Sequence, residues 1–230
     1  MIIAVHQPQY IPWIGYFNKI ASVDAFVLLD NVQYKKNEFQ NRNKIKTCNG
    51  TQWLTVPVKY KFPQKISEVM INNNYPWQRK HLQALRTNYS KAPYFKQYYH
   101  FIEQILQRPW EKLSDLNSII IKELCQLLGF NTKLYSSSEL TINENEPNAR
   151  LIKICQHFNA DTYLSGKGAI KYLNLSLFER ATIQVRFQDF YHPIYQQLFG
   201  DFVPNLSIID LIFNYGDNSA DIIRQTKGEG

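Results

Sequence analysis

The chain has 230 residues, 44% of them apolar and 14% aromatic, with a formal net charge of +7. That is enough apolar material for a full core and too much for a disordered chain, while no apolar run reaches the ~18 residues a membrane-spanning helix needs. The three cysteines, Cys48, Cys125 and Cys155, are far apart with no metal-ligand spacing. They read as reduced thiols, and with no leader ahead of the first strand a soluble, cytoplasmic protein is the expectation.

Ile2-Ile3-Ala4-Val5 is an unbroken apolar run and reads as a buried first strand. A turn rich in amides, prolines and rings follows, then a helix over 13–21, opened by Pro12, with Trp13, Tyr16, Phe17 and Ile20 at helical spacing. A second strand, 25–29, ends at Asp30. Strand, helix, strand is the opening of a parallel sheet. Residues 39–58 then read as a β-hairpin about Asn49-Gly50, with another short strand over 66–71. Helices are expected over 77–89, 93–107 and 113–128, the last stopped by Gly129. Beyond them the pattern predicts a strand over 133–136, a helix over 148–158 and a strand over 162–164. A helix over 169–179, a strand over 182–187 and a helix over 207–213 complete the alternation. The fold class is therefore α/β: a mostly parallel sheet flanked by helices, with an antiparallel β-hairpin insertion (35–75) and a helical middle segment (76–130). One domain spans 1–216, and a polar tail, 217–230, is expected to fray.

Ligands of open α/β sheets sit beyond the carboxyl ends of the strands, so the loops 6–13, 30–33 and 165–167 are expected to converge. His6 has the titration range of a general acid or base, against the plainer reading of an imidazole that holds the turn. Gln7 and Tyr10 are ligand hydrogen-bonding candidates, and Trp13 a pocket wall. Asp30 ends an apolar strand, where a carboxylate must be paired or used; Gln33 shares its loop. Asn41-Arg42-Asn43, flanked by Lys36 and Lys46, is a polar knot on the hairpin, with Arg42 suited to phosphate or carboxylate. Ser165 and Lys167 flank a glycine at a strand–helix junction that favours anions, although the P-loop pattern is absent. His192, Tyr195 and Asp210 are polar groups among rings further on. A turn-capping aspartate, a solvated hairpin face and a simple glycine turn are the bland alternatives. No GxSxG elbow, zinc spacing or GxGxxG fingerprint occurs. Basic residues gather over 35–65 and 79–96 without an unbroken block. That suits a nucleotide sugar or other phosphorylated small molecule better than nucleic acid.

The string His6-Gln7-Pro8-x-Tyr10-x-Pro12-Trp13-x-Gly15-Tyr16-Phe17-x-Lys19-Ile20, followed by Asp24, Asp30-x-Val32-Gln33 and Asn41-Arg42-Asn43, resembles the WbqC-like protein family. So do Tyr163-Leu164-Ser165-Gly166, His192-Pro193-x-Tyr195-x-Gln197 and Leu206-Ser207-x-x-Asp210, and the likeness covers about residues 2–216. The resemblance implies a part in making or decorating bacterial surface polysaccharide such as O-antigen. With the residues above, it leads to a transferase or amide-forming ligase that moves an acyl or aminoacyl group onto an amino-sugar nucleotide. Arg42 and Lys167 would hold phosphates, Tyr10 and Trp13 would line the sugar or base pocket, and His6 with Asp30 would manage the amine proton. A non-catalytic module capturing a nucleotide sugar or glycan would use the same cleft. The layout is also similar to nucleotidyltransferase-type and pantothenate-synthetase-type folds, which implies ATP with Mg²⁺. The second histidine of their HxGH motif is missing, however, with Pro12 and Trp13 in its region.

Overall fold

The computed structural model describes residues 1–225. The chain opens with β1 (Ile2–His6), α1 (Ile14–Ala21) and β2 (Ala25–Leu28). Two small antiparallel pairs follow: β3 (Arg42–Thr47) with β4 (Gly50–Thr55), and β5 (Val58–Lys59) with β6 (Met70–Ile71). Next come α2 (Trp77–Tyr89), α3 (Phe95–Leu106), α4 (Leu113–Leu127), β7 (Lys133–Ser136) and α5 (Pro147–His157). The chain continues through β8 (Thr162–Ser165), α6 (Leu175–Arg180), β9 (Gln184–Phe187), α7 (Ile208–Tyr215) and α8 (Ser219–Arg224).

The apolar runs become a five-stranded, all-parallel sheet in the order β7-β2-β1-β8-β9. Its inner strands are apolar at successive positions because helices cover both faces. Ala4, Phe26, Leu28 and Leu164 belong to the core shared with α1, α3, α4 and α7. Ile3, Val5, Ala25, Val27 and Tyr163 alternate onto the other face, against Ile154 and Cys155 of α5 and Phe178 of α6. Each large side chain buried in this way contributes roughly 1.5–3 kcal/mol. The chain runs outward from β1 through β2 to β7, then returns to the far side of β1 for β8 and β9. Right-handed crossovers put the helices of these two halves on opposite faces. The connections therefore part company between β1 and β8, the position at which open α/β sheets place their ligand crevice, beyond the strands' carboxyl ends.

The α/β architecture and its antiparallel hairpin follow the sequence expectation, and several boundaries differ. The helix expected over 169–179 is a 3₁₀ turn, Lys167–Lys171, and a separate α6, divided where Asn174 N–H donates to Asn148 Oδ1 at 3.0 Å. The strand expected over 66–71 is a 3₁₀ turn, Ile66–Glu68, followed by the short β6. In the hairpin Thr47 pairs with Gly50, so the two-residue turn is Cys48-Asn49, and Gly50 follows it at φ +110°. The first part of the tail expected to fray, 217–230, is instead ordered, in a 3₁₀ turn, Gly216–Asn218, and α8. Ile223 of α8 is fully buried, and Asn18 of α1 donates to its carbonyl at 2.9 Å. The end of the expected tail, 226–230, lies outside the described residues. Among the described residues no helix is long and apolar enough to cross a membrane.

Candidate functional site

Between β1 and α1, Pro8 and Pro12 remove two backbone donors, and side chains from distant elements complete the turn. Asn43 of β3 donates through Nδ2 to Ile11 O at 2.7 Å and reaches Tyr10 O at 3.4 Å. Tyr10 N–H donates to Phe39 O (3.0 Å), Ile208 N–H to Pro12 O (2.8 Å) and Tyr16 OH to Gln7 O (3.2 Å). These bonds hold Ile11 at φ +40°, which β-branched residues rarely adopt. Such strain costs about 1–3 kcal/mol and gathers where a fold positions functional groups. Within this turn His6 Nδ1 and Gln9 Oε1 are buried without a hydrogen-bond partner among the described residues.

His6 closes β1, half-buried, with its ring stacked on Tyr16 at 4.8 Å and 23°. Burial and, to a lesser extent, the charge of Lys19 hold its pKa well below the usual 6.5, so the ring is neutral at pH 7. Lys19 comes from α1 and is 6% exposed. No hydrogen bond or ion pair from the described residues reaches its ammonium, and burial lowers its pKa to about 8. Lys19 Nζ lies against Gly166, 3.1 Å from where a Cβ on that glycine would stand. Gly166 immediately follows β8 and is partly exposed. Gln188 ties the end of β8 to α1: its N–H donates to Ser165 O (2.7 Å), and its side-chain amide to Gly15 O (2.9 Å) and Asn18 Oδ1 (2.7 Å). Strand order and helix packing thus bring His6, Lys19 and Ser165–Gly166 to the β1–β8 crevice. Gln7 borders them, its Oε1 accepting from Gln40 Nε2 at 2.7 Å.

The other sequence candidates lie elsewhere or are already engaged. Asp30 shares the rim but faces away across β2. Its Oδ1 accepts from Ser137 Oγ (2.9 Å) and Ser138 N–H (2.8 Å), its Oδ2 from Ser138 Oγ (2.6 Å). It clasps the ends of β2 and β7. Lys167 is exposed, paired with Asp189 at 2.7 Å and 5.1 Å above the Tyr191 ring. The Arg42 guanidinium lies 4.2 Å over Trp53 on the hairpin and donates to Asn37 O. Gln33 is exposed and bridges backbone to backbone with Lys65, and Asn41 Nδ2 donates to Val56 O at 2.9 Å.

Tyr10 is fully buried and bonds His81 Nδ1 at 2.8 Å, while His81 Nε2 meets Thr55 O at 3.2 Å. A carbonyl only accepts, so Nε2 carries the proton and Nδ1 accepts from Tyr10. Trp13 covers Gly15, meets Phe190 edge-on at 5.2 Å and stacks on His192 at 6.2 Å. Both nitrogens of His192 are occupied: Nδ1 donates to Pro193 O (2.9 Å) and Nε2 accepts from Asn205 N–H (3.0 Å). Tyr195 and Tyr89 donate to the Asp210 carboxylate at 2.9 and 2.8 Å, and burial raises its pKa. Lys46, also buried, donates to Gly200 O and Asp201 O. These groups brace the fold.

A surface hollow of about 420 Å³ opens beside Tyr191, His192, Tyr195, Tyr215 and Ile222. The His192 imidazole and Tyr195 hydroxyl in its wall are already bonded. The crevice instead holds an imidazole nitrogen and an ammonium that nothing described satisfies, which is the better mark of a site. Sequence reasoning had not singled out Lys19 for a role. The available signal was a lysine inside a helix otherwise built from Ile14, Tyr16, Phe17 and Ile20.

No three His, Cys, Asp or Glu side chains among the described residues group as metal ligands. The model of the WbqC-like protein family matches residues 7–222. The chain is 39% identical over 226 residues to the uncharacterized protein Rv1507c of Mycobacterium tuberculosis, an alignment covering 96% of this chain and 97% of that protein. No solved structure matches the chain. With the turn after β1, the β8 rim and the braces around Asp210 all inside the matched span, this protein belongs to the WbqC-like family.

Proposed function

We propose that this protein is a cytoplasmic enzyme of bacterial surface-polysaccharide biosynthesis that transfers an acyl or aminoacyl group onto the amine of an amino-sugar nucleotide. The observation that carries the reading is His6: a neutral imidazole with an unpartnered buried nitrogen, at the sheet's switch point and beside an uncompensated ammonium. Amide formation asks for that combination. The amine nitrogen bonds to the carbonyl carbon of an activated donor, a thioester or acyl phosphate, and the carbonyl electrons then return and expel the leaving group. A proton must come off the nitrogen on the way. A neutral imidazole accepts it and passes it to the departing group. Support for the substrate class comes from the family context implied by the sequence and from the positive charge at the crevice. Asp30, expected to manage the amine proton together with His6, is instead bound by Ser137 and Ser138, and the Tyr16 ring holds the imidazole face.

The test is product formation from amino-sugar nucleotides and acyl thioesters, followed by mass spectrometry. Wild type should yield the N-acylated nucleotide. His6→Ala should reduce turnover by about 100-fold or more while still giving a melting shift with the nucleotide sugar. Undiminished turnover in His6→Ala would remove the base. Binding without any product across the donor panel would identify a capture module instead.

A further inference from the structure

Gly166 poses a specific question. Its backbone, at φ −77° and ψ 150°, is one any residue adopts, so conformation does not call for glycine there. A Cβ at 166 would instead stand 3.1 Å from Lys19 Nζ, a few tenths of an ångström closer than such contacts usually are, so a side chain there would press on the ammonium. The missing side chain thus keeps open the approach to a lysine that is 6% exposed and has no counter-charge among the described residues. Buried cations are ordinarily paired, because burial strips their hydration. The neighbouring His6 is neutral and does not supply the pairing, and the carboxylates of Asp30 and Asp189 are engaged with Ser137 and Ser138 and with Lys167.

We propose that Lys19 Nζ and the open backbone of Gly166 form the phosphate seat of the crevice, the ammonium pairing with a phosphate oxygen of a nucleoside-diphosphate sugar in the space a side chain at 166 would fill. A compact ammonium binds phosphate as a point charge. The cations expected from sequence for this duty, Arg42 and Lys167, are engaged with Trp53 and Asp189. This proposal rests on the nucleotide-sugar reading above and adds which residues meet the phosphates.

The experiment measures thermal shifts and equilibrium binding of UDP, inorganic pyrophosphate and acetate to wild type, Lys19→Met and Gly166→Val. Wild type should bind UDP and pyrophosphate but not acetate. Both variants should lose at least tenfold in affinity for the two phosphates. Gly166→Val keeps the test decisive if Lys19→Met does not fold, since it leaves the lysine in place and only fills the space. Equal binding of UDP by wild type and both variants overturns the seat and leaves the nucleotide-sugar reading standing. A shift with acetate and none with either phosphate overturns the seat as a phosphate site. Failure of wild type to bind UDP, pyrophosphate or any nucleotide sugar overturns the seat together with the reading on which it rests.

Discussion

A lysine held 6% exposed without a counter-charge is destabilising, because the ammonium loses water and gains no partner in return. For Lys19 the drop from the ordinary 10.5 to about 8 corresponds to about 3 kcal/mol at neutral pH. In that state both the folded and unfolded chains carry the proton. Between about pH 8 and 10.5 the unfolded chain binds more protons than the folded one, so this group makes stability rise with pH across that window. Lys19→Met, which keeps the stem and removes the charge, should therefore raise stability by about 3 kcal/mol at pH 7 and flatten that rise. Urea titrations at pH 7 and 10 check both. A variant that is less stable than wild type would show that the ammonium is satisfied in the fold. His6 acts in the same sense at lower pH: its folded pKa is depressed, so its share of stability is complete above 6.5 and is lost as the unfolded chain protonates below it. Asp30 teaches the complementary lesson. A carboxylate ending an apolar strand is legible as a group that must be used or paired, but Ser137 and Ser138 are more than a hundred residues downstream, and no local pattern announces that they meet it.

The turn between β1 and α1 is shaped by the hairpin rather than by its own composition. Asn43 of β3 answers the Ile11 carbonyl at 2.7 Å and, through Oδ1, accepts from Lys44 N–H at 2.8 Å. Asn43→Ala leaves buried carbonyls unpaired beside a strained isoleucine, which should cost about 1–3 kcal/mol. Because the freed turn carries His6 and Gln9, turnover should fall further than in Val56→Ala, a core truncation chosen to match the stability loss. Equal activity in the two variants would mean that the turn needs no external clamp. Periodicity recovered several elements almost to the residue: α1, β2, α2 and β7 lie where the apolar spacing puts them. It failed where a single side chain decides a boundary. Asn148 captures the Asn174 N–H and splits one expected helix into a 3₁₀ turn and α6. At the other end Ile223, an apolar residue in a polar stretch, docks on α1.

At the level of the whole molecule, the order β7-β2-β1-β8-β9 places the crevice where helices of the two faces diverge. The hairpin, whose Asn43 clamps the turn after β1, carries Arg42 and Lys44 over Trp53 and so offers a second cationic and aromatic surface. Hydrogen exchange with UDP bound distinguishes them. Protection should appear at the end of β1, in α1 and at residues 164–167, and should leave β3 and β4 unchanged. Protection confined to the hairpin would move the site to Trp53.

The chain's apolar patterning was sufficient for an α/β fold, for the antiparallel insertion and for a turn after β1 rich enough in polar groups to be worth scrutiny. Periodicity reports what is buried, and both a core and a site must be buried, so it could not separate the two. Which polar residues brace the fold and which remain unsatisfied emerged only when strands distant in the chain were laid side by side. Hydrogen-bond partners are assigned by proximity in space: Ser138 reached Asp30 and Asp189 reached Lys167, while among the described residues nothing reached Lys19.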